Sequence, residues 1–318
     1  MRSAREPWQL LLATLSSGAG WVAMGAAAVN AIIAPWFVQK RPAALAMAYN
    51  GASIGGVVFS PLWVLAIASF GFPMAAAIIG AVLIVTIWLL ADLVFSRTPR
   101  STGQSPDGEA PGAPAAAVVT AAQALPGRLL WHDRTFLTLA AAMALGLFAQ
   151  IGLLAHLFSL LVPSLGEQAA GILMGLATAS AIAGRTLVGW LMPAGSDRRL
   201  IACASLVAQI AGSFILMLAG CSEVVLLIAG VLLFGAGIGN TTSLPPLIAQ
   251  VEFTRADVQR VVPLIVAIGQ GTYAFAPAAF GALRALSPAA ATWVFAAAAI
   301  VQLLAIAAFL AGRRRRPA

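Results

Sequence analysis

Charged residues are few in this chain. Asp, Glu, Lys and Arg make up 9% of its 318 residues, against about 25% in a soluble globular domain. That scarcity excludes a soluble globular class. Acids are also badly placed for chemistry: Asp92 and Glu167 lie near the ends of apolar runs, and no Asp or Glu falls in the middle of one. A carboxylate proton relay at membrane depth and a hydrolytic dyad therefore have no residues to use. There are two histidines and two cysteines, too few and too scattered for a metal site or a cofactor. Cys203 and Cys221 are separated by 18 residues on one expected helix, about 27 Å at 1.5 Å per residue, which rules out a disulfide. The glycine-rich stretches GASIGG and GAGIG lack the Lys-Ser/Thr and strand context of a phosphate loop. They read as small residues that let membrane helices approach closely. An enzyme is not expected.

What the chain has is apolar length. Hydrophobic residues are 61% of it and the mean hydropathy is +0.96. About 20 apolar residues cross a bilayer, and nine such runs are expected: 8–37, 43–68, 72–95, 135–162, 167–193, 199–219, 223–249, 260–284 and 287–311. Arg2 and Arg5 precede the first run, which exceeds the 7–15 apolar residues of a signal peptide and reads as a spanning helix. The class is an all-α membrane protein. It divides into 1–95 with three spans, a connector at 96–134, a six-span block at 135–312 and a basic tail at 313–318. The connector contains SRTPRSTGQSPDGEAPGAP, rich in Pro, Gly and Ser as flexible linkers are. Its APAAAVVTAAQAL segment, 113–125, is compatible with a surface helix.

The net charge of +8 suits topology better than nucleic acid, because the cations sit between apolar runs. Lys40 and Arg41, then Arg97, Arg100, Arg128 and Arg134, then Arg198 and Arg199, Arg255 and Arg260, and Arg313 to Arg316 occupy alternate loops, and these are 14 of the 18 basic residues. The loops between hold Arg284 alone. The positive-inside rule puts the basic loops and the C-terminus in the cytoplasm, in keeping with a bacterial inner membrane. The N-terminus then falls outside, with Arg2 and Arg5 on the wrong side.

A weak repeat runs through the chain. GAG at 18–20 recurs at 235–237, FSP at 59–61 echoes FAP at 275–277, and Gly55 matches Gly271. The offsets, 216 to 217, agree. Asn30 and Asn240 both fall in the first helix of each repeated pair, and a short charged loop follows each. Related halves with a midplane site are the organisation of secondary transporters. The repeat implies that the block before the connector lacks three helices that the block after it has.

Three stretches give the chain a family likeness. WFVQKRPAALAMAYNGASIGGVVFSPL (36–62) resembles the junction of helices four and five in the major facilitator superfamily, in its monocarboxylate-porter and oxalate/formate-antiporter branch. AIAGRTLVGWLMPAGSDRR (181–199) resembles that family's helix eight and following loop, and LLWHDRTF (129–136) the start of its helix seven. The resemblance implies a twelve-helix bundle seen as helices four to twelve. It implies alternating-access transport of a small, monocarboxylate-like organic anion, with no cofactor, by a chain expected to be monomeric in the lipid bilayer. A rival reading is a fragment without transport activity of its own. The family's acidic residue one turn before the helix-eight arginine is replaced here by Ala181, and the run 13–20 has no helix-four arginine.

Arg185 is the one Lys or Arg well inside an expected span. By resemblance it binds the substrate carboxylate, and a guanidinium suits that through bidentate bonds. Alternatively it reaches the loop, to Asp197 or to backbone carbonyls. His156 could contact substrate or make one helix–helix hydrogen bond. Gln150, Asn30, Asn50, Asn240, Gln270 and Tyr273 are further polar groups at depth and need partners there. Lys40, Arg41, Asp197, Arg198 and Arg199 are expected to form a cytoplasmic gate.

Overall fold

The computed structural model describes residues 6–37, 40–108, 127–193, 195–220, 223–286 and 292–313. Arg2, Arg5, the whole 113–125 segment, Cys221 and Arg314 to Arg316 lie outside the described residues. The chain forms two compact units, Met1–Val118 and Val119–Ala318. Their boundary falls within 96–134.

In the first unit, α1 (Pro7–Ala23) and α2 (Ala26–Ile33) are followed by α3 (Arg41–Leu90). The single run expected over 8–37 is broken where Gly25 turns extended at φ −78°, ψ −168° and starts a new helix. Neither piece alone reaches 18 residues. At 50 residues, α3 would be about 75 Å long if straight, far beyond a bilayer. Gly71, at φ 72° and ψ 161°, divides it where the sequence separates 43–68 from 72–95. That backbone region is open essentially to glycine alone.

The second unit holds α4 (Gly127–Leu130), α5 (Arg134–Leu191), α6 (Arg198–Ala219), α7 (Val224–Glu252), α8 (Arg255–Tyr273), α9 (Ala276–Leu286) and α10 (Thr292–Ala311). Gly166, at φ 76° and ψ 166°, splits α5 into arms 134–165 and 167–191 in the same way. Both arms feed one core: Leu153, Leu157 and Leu161 from the first, Ala170, Leu173 and Ala177 from the second. Spacings of three and four put each set on one helix face, and they meet Val231 and Phe234 of α7 there. The run expected over 260–284 is interrupted between Tyr273 and Ala276.

Six segments among the described residues are long and apolar enough to span a membrane: Leu65–Phe95, Arg134–Leu191, Arg198–Ala219, Val224–Glu252, Ala256–Leu286 and Thr292–Ala311. This differs from nine runs for physical reasons. Two runs share α5 through Gly166, two share α3 through Gly71, and the first run is cut at Gly25. The repeat also acquires an asymmetry. FAP at 275–277 marks the break between α8 and α9, whereas FSP at 59–61 lies within the helical part of α3 before Gly71.

Candidate functional site

The second arm of α5 and α7 meet through their smallest residues. A Cβ on Gly184 would lie 2.1 Å from the Ala236 carbonyl oxygen, and one on Gly239 would lie 2.7 Å from the Ala181 carbonyl oxygen. Backbones at this distance bring Arg185, 7% exposed, onto α7. Its Nε donates to the Gly239 carbonyl at 3.1 Å. The Arg185 Nε is thus held by a backbone carbonyl on a neighbouring helix, while Asp197 pairs with Arg313. Thr242 Oγ1 and Ser243 Oγ also donate to Gly239, each at 3.1 Å. Asn240, the next residue, is buried beside them.

A second polar layer crosses four helix segments. Gln209 of α6, fully buried, donates through Nε2 to Gln150 Oε1 at 3.3 Å and to Thr241 Oγ1 at 2.9 Å. Its Oε1 accepts Nε2 of Gln302 on α10 at 2.8 Å. Both donors of the Gln209 amide and one lone pair of its oxygen are thus used. Gln150 is brought into this cluster and not to His156.

His156 lies nearer the other end of the first α5 arm. Its Nε2 is 3.0 Å from the Pro277 carbonyl on α9. A carbonyl only accepts, so this nitrogen carries the proton. Arg284, also on α9, donates to Ser159 Oγ, which in turn donates to the His156 carbonyl at 2.8 Å. Phe280 sits against Gly152, where a Cβ would come within 2.4 Å of its ring. Gln270 and Tyr273, three residues apart on α8, are half-buried.

At the end of the unit that carries the basic residues, Arg199 is 1% exposed. It meets Glu252 of α7 through Nε and Nη2. It also donates to the Phe309 carbonyl at 3.1 Å, the Thr135 carbonyl at 3.1 Å and Thr138 Oγ1 at 3.3 Å. One guanidinium therefore ties α5, α6, α7 and α10 together. Asp197 caps α6, accepting from the Arg199 and Leu200 backbone N–H groups, and pairs with Arg313 at 2.5 Å. Burial alone would raise the Asp197 carboxyl; the Arg313 guanidinium and the two backbone donors outweigh it and hold it below its ordinary value. Arg198 Nη1 donates to the Leu247 carbonyl at 2.6 Å.

The first unit holds the remaining candidates. Asn30 of α2 donates through Nδ2 to Tyr49 Oη of α3 at 2.8 Å, and Asn50 is buried one position further on. Arg41 donates to the Phe37 carbonyl at 2.9 Å and the Ala34 carbonyl at 2.5 Å, satisfying acceptors at the end of α2. The Lys40 backbone N–H donates to Asp107 Oδ1 at 3.2 Å, while its side chain is exposed. Among the described residues no group of three or more His, Cys, Asp or Glu is placed to hold a metal.

Comparison with known proteins gives this helical architecture a lineage. A family model of the Major Facilitator Superfamily matches residues 4–277. The chain belongs to that superfamily. MFS-type transporter 1 of Ophiocordyceps sp. (strain BCC 1869) is 31% identical to it over 252 residues, which are 78% of this chain and 51% of the relative. The chain spans about half the length of that curated relative. The superfamily is one of transporters and not of enzymes, and this member is an integral membrane protein with several apolar helices.

The sequence of this superfamily member, read for polar groups at depth, gives Gln150 and Gln270 but passes over Gln209, Gln302 and Thr241. It also passes over Glu252, which lies just past an apolar run and 53 residues from Arg199. The available signal was the amide side chain itself: glutamine inside an apolar run is a polar group that must find a partner. Its partners, Gln150, Thr241 and Gln302, are far apart in sequence.

Proposed function

We propose that this chain takes part in moving a small organic anion across a membrane by alternating access, with Arg185 as the anion contact. The carrying observation is the buried guanidinium of Arg185, anchored at Nε by the Gly239 carbonyl in the middle of packed helices. Keeping a cation at membrane depth is unfavourable, and a guanidinium there is matched by a carboxylate. Gln150, Asn240, Gln270, Tyr273, His156, Asn30 and Asn50 are the polar side chains proposed to line the route. The basic loops face the cytoplasm in this reading, where Lys40, Arg41, Asp197, Arg198 and Arg199 act on opening and closing. The single-carboxylate anions of the monocarboxylate-porter branch are the proposed substrates.

The test is uptake of labelled small carboxylates by liposomes containing the purified full chain, with Arg185→Gln and Arg185→Lys beside it. Saturable uptake that both substitutions reduce at least tenfold supports the reading. Uptake indifferent to Arg185 sinks it.

A further inference from the structure

The connector expected over 96–134 has the composition of a flexible linker, yet it begins folded. Thr98 and Ser101 exchange hydrogen bonds: the Thr98 N–H donates to Ser101 Oγ at 2.9 Å, and the Ser101 N–H donates to Thr98 Oγ1 at 3.2 Å. The Pro99 carbonyl accepts from the Gln104 N–H at 2.9 Å. Pro99 is buried, while Thr98 and Ser101 are exposed. A tight turn at Pro106–Gly108 follows. There the Asp107 N–H donates to the Trp36 carbonyl at 2.9 Å, and Asp107 Oδ1 accepts the Lys40 N–H at 3.2 Å. Trp36 and Lys40 stand at opposite ends of the turn between α2 and α3. One connector residue therefore holds both ends of that turn.

Asp107 holds them from an unusual backbone. At φ 61° and ψ 5° it is the one non-glycine residue at positive φ among the described residues. That region disfavours L-residues and is visited mainly by Gly, Asn and Asp. Such a conformation persists only where its surroundings fix it, and here the surroundings are the α2–α3 turn. The turn's other carbonyls are served from within, since Arg41 donates to Ala34 and Phe37. The Trp36 carbonyl and the Lys40 N–H are the groups for which it draws on the connector.

We propose that residues 96–108 are a strap that locks the α2–α3 turn through Asp107 and restrains transport, the turn being fixed while Asp107 is docked and free to move once it is undocked. Asp107 is only half-buried, so local opening can release it without unfolding the helices. The restraint rests on the reading in which Lys40 and Arg41 act on opening and closing; the lock does not.

The lock is tested by amide-resolved hydrogen exchange on the purified full chain in lipid nanodiscs, for the native protein, Asp107→Asn and Asp107→Gly. Asparagine keeps the left-handed backbone and an acceptor oxygen; glycine keeps the backbone alone. The Lys40 amide is expected to exchange slowly in the native protein and in Asp107→Asn, and at least tenfold faster in Asp107→Gly, with exchange in α5, α6 and α7 unchanged. A native Lys40 amide that exchanges as fast as an open chain overturns the lock, and needs no variant to fold. So does equal exchange in the native protein and Asp107→Gly. Uptake of labelled small carboxylates by liposomes containing the same proteins tests the restraint, and Asp107→Gly is expected to be at least twofold faster. Unchanged or slower uptake in a variant whose turn is released overturns the restraint and leaves the lock standing. No uptake by the native protein overturns the transport reading and the restraint together, while exchange at Lys40 still decides the lock.

Discussion

Arg199 and Glu252, 53 residues apart, are joined by two parallel hydrogen bonds, Nε to Oε1 at 2.7 Å and Nη2 to Oε2 at 2.8 Å. The guanidinium's other donors go to α5 and α10, so removing either partner strands a group that four helices share. Breaking a buried pair costs about 3–5 kcal/mol. Glu252 is partly open, with its side chain 17% exposed, which places the expected loss for Glu252→Gln near the lower end. The check is the unfolding midpoint of the purified chain in detergent. Arg199→Lys is expected not to keep the native midpoint, because an ammonium cannot reproduce the planar fork.

The contact between α5 and α7 predicts a contrast between glycines. Gly184→Ala puts a methyl group where the Ala236 carbonyl oxygen already is, whereas Gly171 and Gly175 on the same arm have open space around them. Overpacking costs about 1–3 kcal/mol, and Gly184→Ala is expected to lose at least that much stability. Gly171→Ala and Gly175→Ala are expected to lose none. Comparable midpoints for all three variants would count against the close approach that positions Arg185.

Gln209 is the centre of its network, and its replacement should be strongly non-additive. Gln209→Leu leaves Gln302 Nε2, Gln150 Oε1 and Thr241 Oγ1 without this partner, at about 1–3 kcal/mol for a stranded group. Adding Gln302→Leu removes one of those stranded groups. The double variant is therefore expected to be less destabilised than the sum of the singles, with a coupling of about 0.5–3 kcal/mol. A double-mutant cycle on unfolding midpoints checks this, and strict additivity refutes it.

Acid should weaken the Asp197 contact in a defined direction. The Asp197 carboxyl lies below its ordinary value of 3.8 in the folded chain. Its ionised form therefore contributes stability that is fully present above about pH 3.8 and is lost as pH falls through the lower folded value. Asn at this position still caps a helix, so Asp197→Asn isolates the pairing with Arg313. The variant is expected to show a shallower loss of stability on acidification below pH 4 than the native chain. Parallel pH profiles would remove Asp197 from the acid response.

Apolar length made most helices legible in the sequence, because a bilayer demands it whatever the residues. The interruptions were less legible. Gly71 and Gly166 break α3 and α5 at a single residue each, while Gly25 begins α2 from an ordinary extended backbone. Glycine in an apolar run signals close packing as readily as a turn. Arg185 could be singled out because a charge in a span is rare. That Gly239 would receive it could not, since this depends on two backbones meeting where neither has a Cβ. Arg199 was legible as a loop cation, but its burial depends on Glu252, Thr135 and Phe309 arriving from three other helices.

The turn at Gly166 makes α5 a ruler. Arg185 lies 19 residues after it and Gln150 lies 16 residues before it, about 28 Å and 24 Å along their arms. With no loop between the arms, there is no slack in which one could slide past the other. The depth of the proposed anion contact is thus set by counting from one glycine, in step with the glutamine layer on the opposite arm. Two or three residues inserted at that turn would shift one scale against the other without changing the identity of any side chain named above.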